Sequence, residues 1–169
     1  MRAILKASGT TAVFVTHDQH EAFAMADNVG VMHDGVIEQW DSAYNLYHRP
    51  VTRFVADFVG EGVLLQATAD VSDRIDTVLG SLRHCPGCEI RPGQPISLLL
   101  RPDDVVHDDA SGLKAEVVKK TFRGAEFLYT LRLADGNQVL SLVPSHHNHA
   151  IGERIGIKLD VDHVVAFPR

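Results

Sequence analysis

Three histidines close together in the sequence are the first side chains whose chemistry suggests a ligand. His146, His147 and His149 follow Pro144 in a segment that we expect to be a surface loop. Imidazole nitrogens bind transition metals, so a loop that brought these side chains together would form a metal site. Polar loops are more commonly just solvated. Imidazole is also a poor ligand for a hard ion such as Fe³⁺, which prefers oxygen donors. We therefore expect no metal here.

A pair of cysteines has the spacing of half a zinc site. Cys85 and Cys88 flank a Pro-Gly dipeptide directly after His84. Structural zinc takes four ligands, and a second cysteine pair is missing, so a Pro-Gly turn with two adjacent thiols is the simpler interpretation. Two cysteines are too few for a disulfide framework and indicate a reducing compartment such as the cytoplasm.

Charged side chains form two further groups. The compact basic group consists of Lys119, Lys120 and Arg123. It would suit a small anion, although basic residues also protect exposed strand edges from pairing. The acidic group consists of Asp103, Asp104, Asp108 and Asp109. We interpret these acids as a charged turn in preference to a cation site.

The elements of residues 1–60 indicate an α/β arrangement. Residues 1–8 read as the end of a helix, and the apolar, β-branched run at 11–16 is typical of a strand covered on both faces in a parallel sheet. Asp18 and Glu21 fit a capping box that opens a helix reaching about residue 26. These few elements cannot cover both faces of a buried strand. We therefore expect that part of this domain is missing upstream.

A hairpin and two short helices complete the first region. Asp34 and Gly35 separate β-like runs at 29–32 and 36–40, and an Asp-Gly pair in this position predicts a tight hairpin. Ser42 and Thr52 are suitable N-caps for two short helices, the second ending at Gly60.

Residues 61–169 show the spacing of a small antiparallel barrel. Turn residues separate six β-like runs, at 96–100, 115–118, 127–133, 138–143, 154–159 and 164–167. The change of pattern places a domain boundary between residues 60 and 61. The predicted fold is thus an α/β region followed by an all-β barrel.

Residues 10–27, which include the triplet Thr16-His17-Asp18, resemble the last core strand and switch-histidine loop of ABC transporter ATPases. The resemblance continues through 29–40, 47–50 and 53–60, as in importers of the maltose, polyamine and ferric-ion type. The segment Leu100-Arg101-Pro102-Asp103-Asp104-Val105 resembles the Arg-Pro-acid turn of their accessory domain. Residues 1–60 are then a C-terminal remnant of the nucleotide-binding domain, and residues 61–169 an oligosaccharide-binding (OB)-like regulatory domain.

The resemblance also implies a site, cofactors and partners. His17 would be the switch histidine, which contacts the γ-phosphate of ATP in the intact ATPase. The complete subunit would use ATP and Mg²⁺, pair with a second ATPase subunit and bind integral-membrane permease subunits. It would lie in the cytoplasm, peripheral to the inner face of the cell membrane. Ferric iron is the transported solute that we expect from the similarity of the tail.

The rest of the ATP machinery is absent from this sequence. There is no Gly-x-x-x-x-Gly-Lys-Ser/Thr loop to hold phosphates, no apolar strand ending in Asp-Glu, and no Ser-Gly-Gly signature segment. We therefore expect a chain truncated after its catalytic centre, which binds no cofactor and hydrolyses no ATP alone.

Composition excludes some classes of protein and leaves two rivals. The formal charge of −6 argues against a nucleic-acid partner, and no run approaches the ~20 apolar residues that cross a bilayer. A free-standing barrel that binds an oxyanion through Lys119, Lys120 and Arg123 is one rival. A small metal-binding redox protein built on the cysteines and histidines is the other.

Overall fold

A computed structural model of the protein describes residues 2–70, 74–83, 90–161 and 164–169. The chain forms two compact units, Met1–Gly60 and Glu61–Arg169. Each unit has its own group of buried apolar side chains.

The first unit contains four short helices and one two-stranded antiparallel sheet. Its elements are α1 (Arg2–Ser8), α2 (Gln19–Met25), β1 (Val29–His33), β2 (Val36–Asp41), α3 (Ala43–His48) and α4 (Arg53–Phe58). The turn between β1 and β2 has φ 47° at Asp34 and φ 79° at Gly35. Two positive φ values in a two-residue loop match the twist of an antiparallel hairpin. The predicted hairpin is confirmed.

Side-chain caps begin the two helices that follow the hairpin. Ser42 Oγ accepts the N–H of Asn45 at 3.2 Å, and Thr52 Oγ1 accepts the N–H of Val55 at 3.2 Å. Both predicted N-caps are therefore confirmed. The helices bury side chains against the hairpin in a core formed by Val31, Leu46, Val55 and Val59.

The predicted strand at residues 11–16 is wrong. This segment forms no helix or strand, and Val13 and Val15 are 89% and 86% exposed. A strand needs neighbours that take up its backbone hydrogen bonds. No described strand lies beside this segment. Its apolar composition predicted a buried strand, but the first unit leaves it exposed.

In the second unit, the described residues form ten strands in two antiparallel sheets of five. The strands are β3 (Val63–Ala69), β4 (Arg74–Thr77), β5 (Gly80–Arg83), β6 (Pro95–Leu100), β7 (Val105–His107), β8 (Lys114–Phe122), β9 (Glu126–Arg132), β10 (Gln138–Pro144), β11 (Arg154–Leu159) and β12 (Val165–Pro168). One sheet has the order β10-β9-β8-β11-β7 and the other β12-β6-β3-β4-β5.

The first of these sheets closes nearly into a barrel. Its end strands β7 and β10 approach each other, and the Ser141 hydroxyl donates a hydrogen bond to the Val105 carbonyl. Next to this contact, Leu142 N–H donates to the Pro102 carbonyl at 2.9 Å. The predicted small β-barrel is confirmed in this coarse form. In the second sheet β6 and β12 correspond to the predicted runs at 96–100 and 164–167, whereas β3, β4 and β5 were not predicted.

One apolar core serves both sheets of the second unit. Leu98 and Leu100 of β6 are buried in the same cluster as Leu131 of β9 and Ile157 of β11. Buried and more exposed side chains alternate along β10, whereas β9 carries three consecutive buried residues, Phe127 to Tyr129.

A β-bulge divides β8 into two parts. Val117 pairs with Leu131 of β9, and the next pair joins Lys119 to Thr130, so Val118 is an extra residue in β8. After the bulge Lys120 pairs with Tyr129, whose side chain is fully buried. Residues directly opposite in a pair share a face of the sheet. The bulge therefore places Lys120 on the face that carries Tyr129.

Candidate functional site

His17 is exposed in the loop that precedes α2. Asp18 is the N-cap of this helix, because its Oδ1 accepts the N–H groups of His20 at 2.8 Å and Glu21 at 3.2 Å. The predicted role of Glu21 in a capping box is wrong. Its carboxylate accepts the hydroxyl of Thr16 at 2.9 Å, and Thr16 Oγ1 in turn accepts the N–H of Asp18 at 3.0 Å.

These contacts hold the backbone on both sides of His17. Thr16 and Asp18 are tied to the first turn of α2, while the imidazole between them extends into solvent. An imidazole can exchange hydrogen bonds with a phosphate oxygen near neutral pH. The loop thus presents His17 to a ligand or partner, and its catalytic role stays a prediction.

A second group of histidines lies in the β-rich unit. Donor atoms of His107, His147 and His149 all lie within 4.8 Å of one another. We call these three residues the histidine cluster. In the part of the chain that the structure describes, it is the one group of three or more metal-ligating side chains this close together. The sequence grouped His147 and His149 with His146, which is exposed and lies outside the cluster.

Sequence reasoning missed His107, which is 40 residues away from His147 in the chain. It ends β7, and the loop that carries His147 and His149 follows β10. Because β7 and β10 meet at the edges of the barrel, their C-terminal neighbours come together. Only this strand pairing, and no local motif, could have identified His107.

Tyr129 fixes the loop after β10 through hydrogen bonds to its backbone. Its hydroxyl donates to the His147 carbonyl at 2.8 Å and accepts the His149 N–H at 3.0 Å. Lys120 Nζ adds hydrogen bonds to Asn148 Oδ1 at 2.8 Å and to the His149 carbonyl at 2.9 Å. Burial raises the pKa of Tyr129, and the charge of Glu153 adds to that rise.

Carboxylates accompany two of the three histidines. Glu153 Oε1 lies 2.7 Å from His149 Nδ1, and its other oxygen accepts the Ala150 N–H at 2.8 Å. The Ala150 N–H and then His149 hold the pKa of Glu153 below its usual range. Asp109 Oδ1 lies 3.0 Å from His107 Nε2, although the orientation of the pair is outside hydrogen-bonding geometry.

His147 is surrounded by other imidazoles. Loss of solvent and the nearby His146 and His107 lower its pKa, which favours the neutral form. The rings of His147 and His107 have centroids 4.7 Å apart, and those of His147 and His146 are 4.3 Å apart. A neutral imidazole has one ring nitrogen with a free lone pair, which is the form that binds metals.

The predicted basic group does not converge on one site. Arg123 forms an ion pair with Glu61 at 2.6 Å, while Lys120 bonds the loop that carries the histidine cluster. Two of the three cations of the oxyanion hypothesis are thus already engaged within the protein. Among the described residues, no observation favours a free-standing anion-binding barrel.

The acidic residues form turns. Asp104 accepts the N–H of Arg101 at 2.7 Å, and burial raises the pKa of Asp104 to about 6. Asp108 accepts the Ala110 N–H at 3.0 Å, as in a capped turn. The interpretation of these acids as a charged turn is supported.

Cys85 and Cys88 lie outside the described residues, so their predicted turn is not tested. Among the helices that the structure does describe, none has the length and apolar character needed to cross a bilayer.

Comparison with known proteins accounts for most of the chain. Residues 98–167 match the model of the TOBE domain family. A relative from Marinobacter nauticus, called the spermidine/putrescine import ATP-binding protein PotA, is 35% identical over 150 residues, covering 83% of this chain and 40% of the relative. The protein of the same name from Methylococcus capsulatus is 36% identical over 148 residues, covering 82% and 38%.

The chain spans about two fifths of the length of these curated relatives. The TOBE match falls entirely within the second unit, while the relatives match a longer part of the chain. Together, these findings show that the chain carries a TOBE domain and that most of its length is similar to the C-terminal region of ABC importer ATP-binding subunits.

Proposed function

We propose that this chain is the C-terminal region of the ATP-hydrolysing subunit of a bacterial importer. In the complete subunit, ATP and Mg²⁺ would be bound mainly by residues outside this sequence. Residues 1–60 would supply the end of the nucleotide-binding domain, and residues 61–169 a domain for regulation and dimerisation. The subunit would work on the cytoplasmic face of the membrane, with a second copy of itself and with permease subunits.

The extent of the similarity carries this proposal. Residues 61–169 make up only about two thirds of the chain, whereas the two relatives match 83% and 82% of it. Each match must therefore include part of residues 1–60, in addition to the TOBE domain. This favours an importer subunit over a free-standing barrel, which would share only the second unit.

His17 would act as the switch histidine of the complete subunit. Its loop is fixed by Thr16 and Asp18, and its imidazole is exposed, as contact with a phosphate on another part of the ATPase requires. A hydrogen bond to the γ-phosphate oxygens contributes most while charge redistributes in the transition state. His17 would thus contribute to turnover more than to ATP binding.

The relatives favour polyamines as the solute over the ferric iron that the sequence suggested. Both relatives have spermidine and putrescine in their names, and neither name mentions iron. We therefore propose a polyamine importer. The solute is selected by other components of an importer, so the solute is a separate proposal from the ATPase assignment.

A chimera tests the ATPase assignment. The part of the Marinobacter relative that precedes its match to this chain is joined to residues 1–169, and the hybrid is purified. We expect Mg²⁺-dependent ATP hydrolysis, which His17→Ala reduces at least tenfold while ATP binding changes little. His20→Ala, in an exposed histidine of the same loop region, is the matched control and should retain activity.

The outcomes separate the parts of the proposal. Normal hydrolysis by His17→Ala would remove His17 from the mechanism, and a well-folded hybrid without ATPase activity would contradict the assignment. Complementation then tests the solute: the hybrid should restore labelled spermidine uptake in cells that lack the ATPase subunit of their polyamine importer, and should not restore ferric-ion uptake in cells that lack that of their ferric-ion importer.

A further inference from the structure

Two buried nitrogens in the histidine cluster have no hydrogen-bond partner among the described residues. They are His107 Nε2 and His149 Nε2, both shielded from solvent. The His107 side chain is only 7% exposed. A buried polar atom without a partner loses its hydration and gains nothing in return, so such atoms are rare in native proteins.

Packing of the rings does not satisfy these atoms. The His107 ring lies 4.7 Å from the His147 ring and 4.8 Å from the His149 ring, between centroids. Contacts between aromatic faces add modest stability, but they provide no donor or acceptor for an in-plane ring nitrogen. A single metal ion that accepts an electron pair from each ring would satisfy these nitrogens together.

We propose that the histidine cluster binds a divalent transition-metal ion of the zinc class, with His107, His147 and His149 as its three protein ligands. Imidazole nitrogen is a preferred ligand of zinc, and also of nickel and copper. The proposal concerns the accessory domain alone and does not depend on the ATPase assignment.

Glu153 sets the orientation of one ligand. Its 2.7 Å contact with His149 Nδ1 forms a hydrogen bond when Nδ1 carries the proton, which leaves the lone pair on Nε2. Metal-bound histidines almost always donate their second N–H to a carboxylate or carbonyl in this way. The partnerless Nε2 of His149 is then the atom that faces the metal.

The distances suit a site that closes slightly on its ion. Three nitrogens bound to tetrahedral zinc lie about 3.3 Å apart, since each zinc–nitrogen bond is about 2.0–2.1 Å long. The donor atoms of the cluster lie within 4.8 Å of one another, so on binding they need to move closer together by roughly 1.5 Å at most. A fourth position remains for water or for Asp109, whose carboxylate is already 3.0 Å from His107 Nε2.

The surrounding structure prepares the site in advance. Tyr129 fixes the backbone of both His147 and His149, and Lys120 adds a hydrogen bond to the His149 carbonyl of the same loop. Ligands on a loop that is already ordered lose little conformational entropy on binding. A bound ion would also join the end of β7 to the loop after β10, across the seam where the barrel is not fully hydrogen bonded.

The test is zinc binding by the untagged chain carrying Cys85→Ser and Cys88→Ser, which removes the only thiols. After removal of metal with a chelator, the protein is titrated with Zn²⁺ and, separately, with Co²⁺. We expect one zinc per chain, a raised thermal midpoint, and the visible absorption of cobalt in a low-symmetry nitrogen site. His147→Ala and His107→Asn should each weaken zinc binding at least tenfold.

His146→Ala is the matched control, since His146 adjoins His147 in sequence but lies outside the cluster. It should bind zinc as the parent does. The circular dichroism spectrum of each metal-free variant establishes that it is folded. A parent protein that binds no zinc would overturn the proposal, as would equal losses in His146→Ala and His147→Ala, or unchanged binding in folded His147→Ala.

Discussion

At the scale of single residues, the Asp104 carboxyl is unusual for an aspartate in a turn. Burial raises its pKa to about 6, well above the value near 3.9 expected in the unfolded chain. Between these two pKa values the folded state binds more protons than the unfolded state. Stability contributed by Asp104 therefore falls as the pH rises from about 4 to about 6, and the folded protein bears the full cost of the buried charge above that range.

Asp104→Asn should remove this pH dependence. An amide is neutral at every pH, and its oxygen can still accept the Arg101 N–H. We expect the thermal midpoint of the variant, relative to wild type, to be higher at pH 7.5 than at pH 4.5 by roughly 2–4 °C, because partial exposure of Asp104 reduces the penalty to about 1 kcal/mol. Asp57→Asn, at an exposed carboxyl, should show no such difference. If the thermal midpoints of Asp104→Asn and Asp57→Asn changed with pH in the same way, the pH dependence could not be assigned to Asp104.

Glu153 offers a second test at this scale, which rests on the proposed zinc site. Glu153→Ala removes the acceptor for His149 Nδ1–H, so the ring loses its fixed tautomer and orientation. We expect zinc affinity to fall by roughly 10–100-fold, as is typical when a carboxylate behind a metal-bound histidine is removed. Glu153→Gln keeps an acceptor oxygen and should lose less. A purely structural role would lower the thermal midpoint of the metal-free protein and leave zinc affinity unchanged.

At the scale of elements, the β1–β2 hairpin depends on one backbone conformation. Gly35 has φ 79°, a value that a β-branched side chain can adopt only with strain. Gly35→Val should therefore destabilise the first unit by about 1–3 kcal/mol, whereas Gly35→Asn should have a small effect because asparagine tolerates this region. Trp40, the only tryptophan, lies in β2 and reports the unfolding of this unit by fluorescence in urea. Equal stability of the two variants would rule out backbone strain as the cause.

Elements with local signals were predictable from the sequence. The hairpin follows from Asp34-Gly35, and β9 and β10 follow from β-like runs on either side of Asp135-Gly136, where the structure has φ 89° at Gly136. The helix caps likewise depend on a single side chain and its nearest N–H groups. In each case the signal lies within the residues that form the element.

Elements and sites that depend on distant partners were not predictable. Residues 11–16 have the composition of a buried strand, but a strand forms only where another strand pairs with it. The site of the histidine cluster depends on β7 meeting β10, which no motif near His107 indicates. Strands β4 and β5 are four residues each, too short to show a clear alternation.

At the scale of the whole molecule, we expect the isolated chain to be a dimer held mainly through residues 61–169. The resemblance to importer ATPases implies contact between the accessory domains of two subunits, and two-fold contacts are the commonest way to form an oligomer. The exposed Val13 and Val15 add apolar surface that a second chain can cover. Light scattering on the full chain should give twice the monomer mass.

A chain that begins at Glu61 identifies the contact. It should remain a dimer if the accessory domain forms the interface. Dissociation on removal of residues 1–60 would show that the first unit makes the contact instead, and a monomeric full chain would disprove dimerisation.

The bulge at Val118 has a consequence for how this domain tolerates insertions and deletions. A strand alternates its side chains between two faces, so one extra residue reverses the parity of every position that follows it. Deleting Val118 would restore regular pairing and still leave Lys120 opposite Tyr129. If β8 kept Val118 and paired without a bulge, Lys119 would lie opposite Tyr129, and Lys120 would turn away from the loop after β10. A change of one residue in β8 should thus be tolerated only where a bulge absorbs it and Lys120 keeps its partner.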